Sequence, residues 1–177
     1  MHATLATPQT AMLATRVDAL VTLYQGIATT RMQGIPLLNN VLRVQAVGFE
    51  CVAQPEDEKD GDTFALGVLI TPWFMNLVWL PLQRLDQPHQ VGIKMQRHVG
   101  SACFEFIAAH EDAYGNYAAC SLFSPVFEFE NQAAAVDTAQ AVLAALRQAA
   151  LAAPAAPEAP ARRAFLFGRG ATKAAHV

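Results

Sequence analysis

The feature that most constrains this chain is a run of 21 residues, 63–83, that contains no charged side chain. The run is long enough for a membrane-spanning helix, which needs about 20 apolar residues. Its composition argues against that structure, because Pro72 and Asn76 lie in its middle. Proline removes a helical hydrogen bond, and asparagine is expensive in lipid. The run therefore predicts two buried β-strands, 64–71 and 76–82, joined by a tight connection, and no stable membrane insertion.

Two amphipathic helices are predicted on either side of the strand-rich region, over 11–31 and 131–152. The apolar stripe of the first is Leu13, Val17, Leu20, Tyr24 and Ile27, and that of the second is Val136, Ala139, Leu143, Leu146 and Ala150. Gly34 and Pro36 are expected to end the first helix, and Asn131 is a suitable N-cap for the second.

Segments that are rich in valine or alternate between apolar and polar residues predict further strands. These segments are 41–52, 90–96, 102–109 and 116–122, with Gly115-Asn116 expected at a hairpin tip. The order of helix, consecutive strands and helix predicts an α+β fold. We expect an antiparallel sheet of about five to six strands, with the N-terminal and C-terminal helices packed on it, both on one face.

Charge is divided unevenly along the chain. Residues 1–160 carry 8 Lys and Arg against 15 Asp and Glu, a net charge of −7, whereas 161–177 carry four basic residues and no acid. We expect a single globular domain at 1–152, a stiff Ala/Pro linker at 153–160 and a basic tail at 161–177. The overall charge of −3 provides no excess for neutralising phosphates, which argues against a nucleic-acid partner.

The sequence lacks the motifs of common catalytic and nucleotide-binding sites. No serine lies in a G-x-S-x-G elbow, and neither type of phosphate-binding glycine loop is present. The acidic segment 56–62 matches the first positions of a calcium loop, but Gly67 stands where the bidentate glutamate belongs, which favours a solvated loop. We therefore expect no catalytic residues, no cofactor and no enzyme activity.

Cys51, Cys103 and Cys120 are odd in number and widely spaced, which indicates reduced thiols in a cytosolic protein rather than a disulfide framework. The N-terminus shows no secretory signal pattern, which also favours the cytoplasm. An alternative remains open. His98, Cys103, His110 and Cys120 could meet on neighbouring strands as metal ligands, and the chain would then be a metal-handling protein or an enzyme.

Two predicted turns carry candidate partner-binding residues. The first turn contains Thr71, Pro72, Trp73, Phe74, Met75 and Asn76, and the second contains Leu122, Phe123, Ser124 and Pro125. Two interpretations are open for the large apolar side chains of the first turn. They cap the core beneath the turn, or they are partly exposed and form a recognition surface, for which Trp, Phe and Met are well suited.

Four segments resemble the HybE family of [NiFe]-hydrogenase assembly chaperones. They are RMQGIPLLNNVLRVQAVGFE (31–50), LGVLITPWFMNLVWLPL (66–82), SLFSPVFEF (121–129) and RRAFLFGR (162–169). Relatives tend to have Asn-Pro where this chain has Asn39-Asn40. Some relatives join this module to a rubredoxin domain, whose cysteines are absent here, so an iron-binding role does not carry over.

The resemblance implies a non-catalytic cytoplasmic accessory chaperone. Its partner would be the precursor of the [NiFe]-hydrogenase small subunit, which carries a twin-arginine export signal, and further partners would be the large subunit and other maturation proteins. The chaperone would hold back export until assembly is ready. A metal- or iron-handling protein and a stable structural subunit of a maturation complex remain the alternatives.

The basic tail contains Arg162, Arg163, Phe165 and Leu166 in the pattern R-R-x-F-L, which resembles the twin-arginine consensus. This pattern lies near the C-terminus behind a proline-rich segment, so we do not expect it to be an export signal. Either the tail docks on the body through its apolar centre, or it is a pseudo-substrate that occupies the chaperone's own signal-peptide site until the precursor displaces it.

Overall fold

The computed structural model describes residues 7–52, 63–84 and 91–152. Its elements are α1 (Pro8–Thr29), β1 (Gln45–Val52), β2 (Phe64–Ile70), β3 (Met75–Pro81), β4 (Lys94–Val99), β5 (Ala102–Glu111), β6 (Gly115–Phe123) and α2 (Gln132–Ala152). The six strands form one antiparallel sheet in the order β1-β2-β3-β6-β5-β4. This architecture confirms the predicted α+β fold with a helix at either end.

The uncharged run forms the β2–β3 hairpin beside the middle of the sheet. All seven residues of β2 are buried, and so are six of the seven residues of β3. The turn is closed by Thr71, whose hydroxyl accepts hydrogen bonds from the backbone N–H groups of Trp73 (3.3 Å) and Phe74 (3.0 Å). Among the described residues, no helix combines the length and apolar content needed to cross a membrane.

The two helices lie on opposite faces of the sheet, so the prediction that both pack on one face is wrong. Successive strand residues point to opposite faces, and the hairpin side chains divide accordingly between two core clusters. Leu66 and Val68 share a cluster with Leu143 of α2. Ala65 and Leu69 alternate with them and share the other cluster with Leu20 and Tyr24 of α1. A hairpin that is apolar on both faces needs cover on both.

Helix α1 begins at Pro8 rather than at residue 11. Proline fits the first helical position because that N–H needs no partner, and Thr7 caps the helix by accepting from the Thr10 N–H. The helix ends at Thr29, before the expected Gly34 and Pro36. The predicted stripe is confirmed at its centre, where Leu20 and Tyr24 are buried.

The buried face of α1 also contains Arg16, which the apolar stripe did not predict. Its Nε donates to the Pro81 carbonyl (3.1 Å) and its Nη1 to the Tyr114 carbonyl (3.0 Å). The guanidinium also lies 3.8 Å from the centre of the Tyr114 ring. Arg16 therefore joins α1 to the end of β3 and to the β5–β6 turn.

Several strand boundaries differ from their predictions. β1 begins at Gln45 instead of residue 41, so Val41 lies in the loop before the strand. β4 begins at Lys94 instead of residue 90, and its buried inward residues are Arg97 and Val99. The tip of the β5–β6 hairpin is 112–114, because Glu111 pairs with Gly115. Gly115 begins β6 with a φ of 92°, a left-handed conformation that glycine adopts without strain.

A matched pair of glycines tests the packing of α1 and β1 over the hairpin. A Cβ on Gly67 would overlap the Phe49 ring, whereas a Cβ on exposed Gly26 of α1 meets nothing within 4 Å. We expect Gly67→Ala to lower the free energy of unfolding by about 1–3 kcal/mol through overpacking. Gly26→Ala should raise it by about 0.5–1 kcal/mol through helix propensity. Urea denaturation measures the free energy of unfolding of both variants. An equal change in the two variants would contradict the close packing of Phe49 against Gly67.

Candidate functional site

Asn39 ties three loops together at the end of the sheet where the β2–β3 turn lies. Its backbone N–H donates to the Pro72 carbonyl in that turn (2.7 Å). Its side-chain amide donates to the carbonyls of Val126 (2.9 Å) and Phe129 (2.8 Å) in the segment between β6 and α2. The loop after α1, the β2–β3 turn and the 124–131 segment therefore form one surface with a fixed geometry.

The first predicted turn is divided between core and surface. Thr71 and Met75 are fully buried, whereas Pro72, Trp73 and Phe74 are half-buried. The Phe74 ring packs edge-on against Tyr24 (5.5 Å between ring centres) and against Trp73 (5.6 Å). Trp73 and Phe74 thus cap the α1 side of the core and keep part of their surface exposed. Asn76 is half-buried, and its side-chain oxygen has no partner among the described residues.

The second predicted turn lies beside the first. Leu122 and Phe123 are half-buried against the core on the α2 side, and Phe123 packs edge-on against Phe129 at 5.2 Å between ring centres. Ser124 and Pro125 are exposed. The structure therefore brings both groups of predicted residues to the same end of the molecule, joined through Asn39.

Three strongly exposed apolar side chains at this end were missed by the sequence analysis. Leu37, Val41 and Phe127 are each 54% exposed. Leu37 and Val41 lie two residues on either side of Asn39, and Phe127 follows Val126, which Asn39 binds. Their only sequence signal was membership of the segments that carry the family resemblance. We call Leu37, Val41, Trp73, Phe74 and Phe127 the end surface.

Acidic side chains accompany the end surface. Glu128 and Glu130 are exposed in the same segment as Phe127. Exposed Arg43 lies two residues after Val41, while Arg31, at the start of the loop, is paired with Glu111 at 2.9 Å. Carboxylates beside exposed apolar groups favour a ligand that combines basic and apolar residues.

The three tyrosines of the chain form a buried cluster behind Trp73 and Phe74. The hydroxyls of Tyr24 and Tyr117 are 2.8 Å apart, and the Tyr114 hydroxyl donates to the Arg16 carbonyl (3.3 Å). Burial raises the pKa of all three, most strongly that of Tyr117, where the neighbouring Tyr24 adds to the shift. Burial raises the pKa of Tyr114 to about 12, with Arg16 opposing.

The alternative metal ligands are not brought together. His98 and Cys103 are cross-strand partners, but alternation along β5 places Cys103 on the opposite face from Cys120, which packs against the α2-side core. His110 is 2.6 Å from the Asn116 side-chain oxygen. Within 7–52, 63–84 and 91–152, no group of three or more His, Cys, Asp or Glu side chains could hold a metal ion.

Some sequence-predicted features lie outside the described residues. They are the acidic segment 56–62, the linker 153–160 and the basic tail 161–177, which carries Arg162, Arg163, Phe165 and Leu166. Their assignments stay predictions.

The fold and site define a small α+β protein whose distinctive feature is an apolar loop surface at one end of the sheet. The family model described as "[NiFe]-hydrogenase assembly, chaperone, HybE" matches residues 15–168. The chain therefore belongs to the HybE family of [NiFe]-hydrogenase assembly chaperones, which the sequence resemblance had indicated.

Two relatives agree with this assignment, and a solved structure shares the fold. The chain is 46% identical over 166 residues to the protein HoxT of Cupriavidus necator, covering 87% of this chain and 89% of HoxT. It is 35% identical to the hydrogenase expression/formation protein HupJ of Bradyrhizobium diazoefficiens, covering 73% and 70% of the two chains. The solution structure of HybE from Escherichia coli matches the fold with a TM-score of 0.51, at 22% identity, covering 89% of this chain and 91% of that one.

Replacing Asn39 tests whether it holds the three loops. We expect Asn39→Ala to lower the free energy of unfolding by about 1–3 kcal/mol, because two backbone carbonyls lose their donors. Amide hydrogen exchange should accelerate over 126–129. Exposed Asn40 is the matched control, and Asn40→Ala should change neither measurement. Similar behaviour of the two variants would contradict the role of Asn39.

The tyrosine cluster predicts a loss of stability at high pH. The unfolded chain ionises its tyrosines near pH 10, whereas the folded chain keeps them neutral to a higher pH. The unfolded state then binds fewer protons, so the free energy of unfolding falls as pH rises from about 10 to about 12. Tyr114→Phe should make this fall shallower by up to about 1.4 kcal/mol per pH unit. An unchanged slope in denaturation series would contradict the prediction.

Proposed function

We propose that this protein is a non-catalytic cytoplasmic chaperone that binds the precursor of the [NiFe]-hydrogenase small subunit and checks its twin-arginine signal before export. The large subunit and other maturation proteins are further candidate partners. Membership of the assembly chaperone family supports a hydrogenase-related partner. The end surface is the proposed contact site for the precursor.

The observation that carries this proposal is the exposure of Leu37, Val41 and Phe127 at one fixed end of the fold. Exposed apolar side chains that gather in one place mark interaction sites on soluble proteins. The hydrogen bonds of Asn39 hold the loops before binding, so less conformational entropy is lost when a partner docks.

The charge of the surface supports a signal peptide as the ligand. A twin-arginine signal combines two arginines with an apolar segment. The apolar segment fits against Leu37 and Phe127, and the arginines fit beside exposed Glu128 and Glu130. Charge complementarity of this kind raises the association rate and selects against acidic partners.

Substitution of exposed residues is the cleanest test of this contact. Alanine at both Trp73 and Phe74 is also expected to weaken binding, but Phe74 packs on Tyr24, so that change loosens the core as well. We expect Leu37→Ser with Phe127→Ser to weaken binding of the purified precursor by about tenfold or more. Titration by biolayer interferometry measures the Kd.

A matched double variant provides the control. Val91 and Ile93 are also exposed apolar residues, but they lie next to β4. Val91→Ser with Ile93→Ser should leave the Kd unchanged. Equal effects of the two double variants would contradict the proposed contact site. Equal affinity for precursors with and without the twin-arginine signal would contradict recognition of the signal.

A further inference from the structure

A second apolar feature lies on the α2 side of the sheet, apart from the end surface. It is a cavity of about 300 Å³ that is open on one side. Its apolar lining comes from Val52, Leu66, Trp79, Val99, Leu143 and Leu146. A volume of this size is at the lower end of the range for ligand-binding pockets.

The cavity exists because the sheet curls around α2. β1 and β4 are the two edge strands of the sheet, yet residues 50–52 of β1 and 98–100 at the end of β4 line the same cavity. α2 lies between these edges without closing the space. Edge strands present unpaired backbone N–H and C=O groups, which suit an extended segment of chain.

We propose that the chain's own tail, residues 162–167, docks in this cavity, with Phe165 and Leu166 against its apolar wall. The tail is the occupant because of where the chain continues. α2 runs to Ala152, which is six residues and about 9 Å beyond Leu146 in the cavity wall. The dozen residues that separate Ala152 from Phe165 span up to about 40 Å when extended, which is ample for a return.

Charge supports the same occupant. The tail carries four basic residues and no acid. The segment 56–62, which begins four residues after Val52 of the cavity wall, carries five acids and one lysine, a net charge of −4. At the cavity itself, Glu50 and Arg147 are paired at 2.9 Å, so they neutralise each other. The tail thus combines apolar groups, which match the cavity lining, with basic groups, which match the acidic composition of the sequence that follows β1.

A further step rests on the proposed function. The tail repeats the R-R-x-F-L pattern of the signal that the chaperone is proposed to bind. The docked tail then keeps a signal peptide of the same pattern out of the cavity, and a precursor held at the end surface displaces the tail when its signal reaches the cavity.

Disulfide trapping in the full chain tests the docking. Val52 lines the cavity and packs in the α2-side cluster, whereas Cys51 pairs with Ala65 of the α1-side cluster and faces away from the cavity. Cys103 is an exposed cysteine elsewhere on the sheet. One protein carries Ala164→Cys and Val52→Cys, with the three native cysteines changed to serine. The control carries Ala164→Cys with Cys103 as its single native thiol. Mild oxidation should form the intrachain disulfide at least tenfold faster with Val52→Cys, because docking adds to the effective concentration that tethering gives both proteins.

A second variant checks that docking, and not tethering alone, is responsible. Phe165→Ser with Leu166→Ser should reduce trapping at position 52 to the rate of the Cys103 control, while circular dichroism stays unchanged. Equal trapping at the two cysteines, or disulfides only between separate chains, would overturn the proposal. Slower trapping in the presence of a synthetic R-R-x-F-L peptide supports competition. Unchanged trapping in the presence of the peptide would contradict the competition and leave the docking in place. If the precursor fails to bind while trapping persists, the proposed function is wrong and the docking still holds.

Discussion

The whole architecture depends on the need to cover the β2–β3 hairpin on both of its faces. β2 is buried at every position, and the hairpin carries no charge that could face water. One helix cannot cover both faces, so α1 and α2 take one face each. The placement of the two helices is therefore a consequence of one uncharged segment.

The hairpin also determines where a partner-binding surface can lie. Its turn emerges at the end of the sheet where the loop before β1 and the segment after β6 arrive as well. Asn39 contacts both neighbours through its backbone and side-chain amide groups. Leu42, Val126 and Phe129 of the same loops are buried in the α2-side core, so apolar packing holds the loops together with these hydrogen bonds. Leu37, Val41 and Phe127 lie outside this packing and are left exposed on a fixed framework.

The sequence predicted the features that rest on local pattern, namely both helices, the central hairpin and an antiparallel sheet. It did not predict features that rest on distant partners. The burial of Arg16 was not predicted, because its acceptors lie 65 and 98 residues away in the chain. Leu37 and Phe127 were not singled out, because only the folded loops show that their side chains face outward. The prediction that both helices pack on one face was wrong because polar and apolar residues do not alternate in β2, and such a strand needs cover on both faces.

The α2-side cavity, like the end surface, exposes apolar side chains, and the proposed docking of the tail would cover them. A chaperone that exposes apolar surface risks binding a second copy of itself. Self-association strengthens with protein concentration, whereas docking of a tethered segment does not depend on it. A tail with apolar and basic groups can therefore cover an apolar site at any expression level. A precursor displaces the tail by binding more tightly than the tail does, because the tether raises only the local concentration of the tail and not the strength of its contacts.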